Sequence, residues 1–284
     1  DPGTEYYSAT FTCGGLTTQA LPLGQELDYP SVTEVKNKVP GIWTAGTGSE
    51  VGRAGVITDE RTHTKKVIFH PLMMPKIVIC DPELTVGMPR MITIGTGMDA
   101  FAHCLEAYCG PFYHPLADGI ALEGMRLVKE FLPRAAKDGT DIEARAQMMS
   151  AAAMGATAFQ KALGAIHALS HPVGSLYNTH HGMTNAVFMP YVLEFNRPVI
   201  AEKMARVAAY LGLTPSYAGF LDFVMKLRAD LGVPHTLPEF GVANPDIALM
   251  ATMSPNDPTA GGNPVPLDEA AARYLFERAM RGTI

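Results

Sequence analysis

Gly97-Met98-Asp99-Ala100-Phe101-Ala102-His103 is the stretch from which the rest of this chain is read. A carboxylate and an imidazole stand at i and i+4 in an apolar-periodic run. On a helix such residues project from one face about 5–6 Å apart, close enough to grip a single ion. The segment His167-Ala168-Leu169-Ser170-His171 repeats the spacing with two imidazoles, and His180-His181-Gly182 follows beyond Pro172 and Gly174. Five of the nine histidines therefore lie in or beside two segments. Apolar surroundings make unpaired polar groups costly, so these side chains are expected to serve one another or a shared metal. No cysteine joins them in a structural-zinc pattern.

Outward from this stretch, the chain from about residue 91 onward has a helical texture. Apolar-periodic runs cover Gly97–Tyr108, Leu116–Leu132, Ile142–Ser170, Ile200–Leu211, Tyr217–Leu231, Pro245–Met253 and Leu267–Met280, separated by Pro and Gly. Pro172 and Gly174 are expected to end a helix, and Asp268-Glu269 place acids where a helix start favours them. Residues 1 to about 88 read differently. Val39–Trp43, Gly55–Thr58, Lys66–Phe69 and Lys76–Cys80 are short, β-branched and flanked by turn residues, which favours strands. Met88-Pro89 marks the joint. The expected organisation is a partial α/β, Rossmann-like nucleotide-binding part over 1–88, then an all-helical metal-binding part over 89–284.

With 284 residues, 47% of them hydrophobic, the chain can bury a sizeable core. Its net charge of −6 and lack of a Lys/Arg run argue against a nucleic-acid partner. Cys13, Cys80, Cys104 and Cys109 form no CxxC pair and are expected to be free thiols. No leader of basic then apolar residues is read at the start. The apolar stretches break well before the roughly 18–20 residues of a membrane span, so a cytoplasmic, non-membrane protein is expected.

Thr44-Ala45-Gly46-Thr47-Gly48-Ser49-Glu50 is a run of small and hydroxyl residues after an expected strand. Its backbone amides could approach a phosphate closely, although it is neither a P-loop nor a G-x-G-x-x-G fingerprint.

Together these segments resemble the iron-containing (group III) alcohol dehydrogenase family, which has a dehydroquinate-synthase-like fold. The motifs that carry the resemblance run in order from Thr44 towards the C-terminus. They include Thr44–Val51, Val56-Ile57-Thr58-Asp59-Glu60, Asp81-Pro82-Glu83-Leu84-Thr85 and Thr96–Ala100 with His103 and Glu106-Ala107-Tyr108. Further on come His167-Ala168, His171-Pro172-Val173-Gly174, His181-Gly182-Met183-Thr184-Asn185-Ala186 and Gly261-Gly262-Asn263-Pro264.

The resemblance implies that Asp99, His103, His167 and His181 bind a divalent metal, Fe²⁺ or alternatively Zn²⁺ or another ion. It makes His171 a non-ligating proton relay and His180 a bystander. Thr44, Thr47, Gly48, Ser49, Lys65 and Leu84 would line the site of NAD or NADP. The implied activity is NAD(P)-linked oxidation of a small alcohol, or reduction of an aldehyde or ketone, by a homodimer. A non-redox metal-dependent lyase or hydrolase, or a catalytically silent fragment with an assembly role, are the alternatives. Two departures stand out. Trp43 replaces a small residue, and the family's GGGS turn with its Asp and Lys has only a faint echo in Cys13-Gly14-Gly15-Leu16-Thr17-Thr18. Phe112, Tyr113, His114, Phe159 and Tyr177 are candidate pocket or packing residues.

Overall fold

Proline and a short polar turn set the joint between the two parts of the molecule. A computed structural model describes residues 45–59, 64–75 and 78–284. Asp81 accepts from the backbone N–H of Glu83 and starts a 3₁₀ turn over Pro82–Thr85. Pro89 then stands as the N-cap of the first long helix, α1 (Arg90–Cys109), where its missing N–H costs nothing.

Before that joint lies an antiparallel hairpin, β1 (Ala54–Asp59) with β2 (Thr64–Phe69), in the register Ala54↔Phe69 to Asp59↔Thr64. It contains two of the expected strands. Val39–Trp43 lies outside the described residues, as do Lys76 and Ile77, while Val78–Cys80 has no regular structure. Among the described residues the hairpin is the one sheet, and it is not a parallel one.

The helical part follows as α2 (Pro115–Lys137), α3 (Ile142–Ala158), α4 (Ala165–Tyr177), α5 (His181–Tyr210), α6 (Tyr217–Leu231), α7 (Ile247–Met253) and α8 (Glu269–Arg281). From Thr93 to Cys109 every residue of α1 is buried, the mark of a helix at the centre of a core rather than on its surface. Helices α2, α3 and α5 pack around it. Asp141 caps α3 through the N–H of Ala144 and Asp268 caps α8 through that of Ala271, so the acids at the last helix start sit as expected.

Three expected boundaries moved. The run Ile142–Ser170 is two helices, broken over 159–164. Pro172 does not end a helix: α4 continues to Tyr177 and stops at Asn178, whose φ is 52°. Likewise α5 runs from His181 through Pro190 and Pro198, although its start was expected at Ile200. An interior proline costs about 3 kcal/mol. Burial of Ala165–Val173 and of Gly182–Leu193 outweighs that.

Glycines decide how near these helices come. A Cβ on Gly182 of α5 would lie 2.0 Å from the carbonyl oxygen of Gly95 in α1, and one on Gly155 of α3 would meet the Cβ of His103 at 2.9 Å. Only backbone without side chains permits either approach. These crossings bring α1, α3 and α5 together around Asp99 and His103. Among the described residues, no helix is long and apolar enough to cross a membrane. Cys104 and Cys109 are buried free thiols and Cys80 is an exposed one, as expected; Cys13 lies outside the described residues.

Candidate metal centre

Asp99 and His103 stand one turn apart on α1. His167 is in the first turn of α4, and His181 is the first residue of α5. The close crossing at Gly95 and Gly182 brings the start of α5 over Asp99. As a result, Asp99 Oδ1 lies 3.6 Å from Nε2 of His103, 3.6 Å from that of His167 and 3.5 Å from that of His181. One atom each of Asp99, His103 and His167 falls within 4.8 Å of the others, and all three residues are buried. The side chain of His181, 32% exposed, closes the cluster from its open side.

These separations are too long for hydrogen bonds and too short for groups indifferent to one another. Metal bonds of about 2.0–2.2 Å place neighbouring atoms of a tetrahedral shell about 3.3–3.6 Å apart. The spacing from Asp99 thus suits a small divalent cation held by Asp99, His103 and His167, with His181 Nε2 3.5 Å from Asp99 as a further nitrogen at hand. A carboxylate with imidazoles is a donor set suited to Fe²⁺ or Zn²⁺.

Glu106, one turn beyond His103, holds the arrangement from behind. His167 Nδ1 donates to its Oε2 at 2.6 Å, and the backbone N–H groups of Gly164 and Ile166 donate to its two oxygens at 3.0 and 2.6 Å. One buried carboxylate thus anchors the first turn of α4 and commits Nδ1–H of His167, leaving Nε2 to face inward. Asn185, one turn after His181, donates from Nδ2 to Asp99 Oδ1 at 2.8 Å. His103 Nδ1 is buried with no hydrogen-bond partner among the described residues.

The electrostatics follow from this layout. Burial pushes the Asp99 carboxyl up, but the imidazoles of His103, His181 and His167 prevail and hold it well below the usual carboxylate range. Burial dominates at His103 and lowers it to about 4, despite the neighbouring Asp99. At His167 burial is overcome by Glu106 and then Asp99, raising it to about 9. Glu106 behind the ring and Asp99 in front of it both favour the protonated imidazole.

His171, one turn past His167, keeps out of this cluster. Its Nδ1 donates to Asp257 Oδ2 at 2.7 Å, and its ring stacks on that of His181 at 5.3 Å. Burial raises Asp257, but the bond from His171 and those from Thr259 lower it overall. His180 is a cap: its Nδ1 accepts from the N–H of Met183.

The small-residue loop lies next door. A Cβ on Gly46 would meet Thr96, three residues before Asp99, at 2.7 Å. Gly48, with φ 62°, sits over the carbonyl of Ala152 in α3, and Ser49 opens a 3₁₀ turn over Ser49–Val51. Thr47 is exposed and Leu84 half-buried in the Pro82–Thr85 turn. Lys65 pairs with Thr58 in the hairpin, and Thr44 lies outside the described residues.

Of the five pocket candidates, Phe159 alone touches the cluster, with its ring edge-on to His103 at 4.9 Å. Phe112 and Tyr113 are exposed, the latter 93% so. His114 caps α2 by accepting from Ala117 N–H, and the Tyr177 hydroxyl accepts from Asp246 N–H.

Sequence reading gave no role to Glu106, Asn185 or Asp257. The first two lie in segments already singled out, each one helical turn from a ligand candidate, which was the available signal. Asp257 stands 86 residues from His171 in an irregular segment, and nothing local points to it.

Residues 93–280 match the Fe-containing alcohol dehydrogenase family, C-terminal part, and residues 38–82 match iron-containing alcohol dehydrogenase. A 4-hydroxybutyrate dehydrogenase of Cupriavidus necator is 40% identical over 247 residues, which make up 84% of this chain and 64% of that protein. An NAD-dependent methanol dehydrogenase of Bacillus methanolicus is 37% identical over 253 residues, 85% of this chain and 66% of that one. The crystal structure of a 1,3-propanediol oxidoreductase superposes with a TM-score of 0.79 at 34% identity, covering 84% of this chain and 64% of the other. The chain spans just under two thirds of the length of each of these three.

Proposed function

The chain belongs to the iron-containing alcohol dehydrogenase family, and from that premise we propose that it is a metal-dependent, NAD(P)-linked alcohol dehydrogenase or carbonyl reductase. The observation that carries the reading is the placement of Asp99 Oδ1 within 3.5–3.6 Å of three imidazole Nε2 atoms. Asp99, His103, His167 and His181 would hold the divalent ion, Fe²⁺ first and Zn²⁺ as the alternative. Residues 89–284 act as the metal-binding domain and the part before them as the cofactor side. When both groups are bound, the cation supplies Lewis acidity to the substrate oxygen and the nicotinamide exchanges hydride with its carbon.

The chain's own residues do the rest. Glu106 fixes the tautomer of His167 and the start of α4. Asp257 takes Nδ1–H of His171 and leaves Nε2 free to accept the hydroxyl proton during oxidation, or to return one during reduction. Thr44, Thr47, Gly48 and Ser49, with Lys65 and Leu84, are the proposed nucleotide-contacting set. Support for this comes from Gly46, which sits against Thr96, one turn from Asp99. The named relatives and the solved structure act on 4-hydroxybutyrate, methanol or 1,3-propanediol. Each of these carries a primary hydroxyl, so a small primary alcohol and its aldehyde are the proposed substrates, and the working form is a homodimer.

His171→Ala tests the assignment. Turnover of a primary alcohol should fall by about a hundredfold or more, while metal content stays near that of the unaltered protein. Loss of metal with activity would make His171 a ligand. Saturable quenching by NADH or NADPH should accompany metal binding, and its absence would remove the oxidoreductase reading for this chain.

A further inference from the structure

We propose that Asn185 is a positioning residue of the metal site, whose amide nitrogen holds Asp99 in place beside His167 and His181 before an ion arrives and gives way when it does. This inference rests on the metal-site reading above. Asn185 is fully buried on α5, four residues after His181 and so on the same helix face. Its Nδ2 lies 2.8 Å from Asp99 Oδ1 and 3.2 Å from Nε2 of both His167 and His181. Three of the four candidate ligand atoms thus face one amide nitrogen. Its Oδ1 is buried with no hydrogen-bond partner among the described residues.

An amide turned the other way would aim its oxygen at the Asp99 carboxylate, oxygen against oxygen, so the donor orientation is the one the site permits. A buried group with one orphaned acceptor is costly to keep. The orphan is explained if the amide is held for what its other end does. One Nδ2 hydrogen is given to Asp99 Oδ1, an oxygen a cation would take, and the nitrogen stands 3.2 Å from the Nε2 atoms of His167 and His181. Without that hydrogen Asp99 would be a buried carboxylate with imidazoles beyond hydrogen-bond range. The metal-free protein therefore keeps Asp99 in place with a weak internal donor, and the ion replaces that donor instead of assembling the site. The contribution of Asn185 should be large in the metal-free protein and small in the loaded one.

Scanning calorimetry on the full chain, stripped with chelator and then reloaded with Zn²⁺, separates these states. For Asn185→Leu, the metal-free form should melt on the order of 5 °C lower than the metal-free parent. The zinc-loaded forms should agree within about 2 °C, so the zinc-induced rise is larger in the variant. Equal losses in both states would make Asn185 a packing residue and overturn the proposal, as would a greater loss in the loaded state. Should Asn185→Leu fail to fold, Asn185→Asp has the native shape and sets a second carboxylate beside Asp99. Its zinc-induced rise should exceed the parent's, and a smaller one overturns the proposal. If the parent itself gains nothing from zinc, the metal-site reading falls first and takes this inference with it.

Discussion

The hairpin part and the helical part differ in how their functional residues are held. In the helical part the four candidate ligands sit on α1, α4 and α5: α1 and α5 meet backbone to backbone at Gly95 and Gly182, and Glu106 of α1 ties down the start of α4. Three of the four are buried, Glu106 braces His167 from behind, and Asn185 donates to Asp99. In the part before Pro89 the nucleotide candidates stand on a tight loop, a 3₁₀ turn and a hairpin, and several apolar side chains face outward, Ile68 and Ile79 among them. A metal site needs its ligand atoms placed to within a few tenths of an ångström, and close-packed helices supply that. A loop that contacts a cofactor can rely on backbone amides and adjust as the cofactor binds.

The comparison can be broken most severely at Asp99. Asp99→Ala removes the atom shared by all three imidazoles, and metal content after gel filtration should fall from near one per chain to background. Full retention would mean that the ligands lie elsewhere. Glu106→Gln should act more gently, because the histidines remain while the tautomer of His167 is no longer fixed. A loss of about 10–100-fold in Zn²⁺ affinity is expected by competition with a chromophoric chelator, and unchanged affinity would leave Glu106 as a helix anchor only.

The pH response sharpens the same point. Burial opposes a proton on His167, but Glu106 and Asp99 raise its pKa to about 9, so below that value a cation must displace a proton. Metal affinity should therefore rise with pH up to about 9, by roughly tenfold per unit for each proton displaced. A flat profile between pH 6 and 8 would contradict the assignment.

Much of the site was legible because helical periodicity turns sequence spacing into distance. Asp99 with His103 could be seen four residues apart, and so could the pair His167 and His171. The contacts between these pairs were not legible from spacing. They depend on the crossing of α1 and α5 at Gly95 and Gly182, residues 87 apart in the chain. Pro172, Pro190 and Pro198 misled the helix boundaries because local propensity was overridden by burial. The hairpin was legible as strands, but its antiparallel pairing was not, since short β-branched runs carry no information about partner direction. Asp257 was invisible because an aspartate before proline in a loop has no pattern to stand out from.

The smallest expected effects contrast the two parts directly. Gly182→Ala forces a methyl into the Gly95 carbonyl and should cost about 1–3 kcal/mol by denaturant unfolding. Gly87→Ala, where a Cβ meets nothing within 4 Å, should stay within about 0.5 kcal/mol. Equal costs would mean that the helix crossing is looser than the geometry states.

X-ray absorption at the zinc edge of the reconstituted full chain tests the central claim most directly. The account predicts about one zinc per chain with a shell of nitrogen and oxygen atoms only, at about 2.0–2.2 Å, showing the multiple-scattering pattern of imidazole rings. A sulfur contribution at about 2.3 Å, or a shell of water oxygens without imidazole scattering, would contradict it.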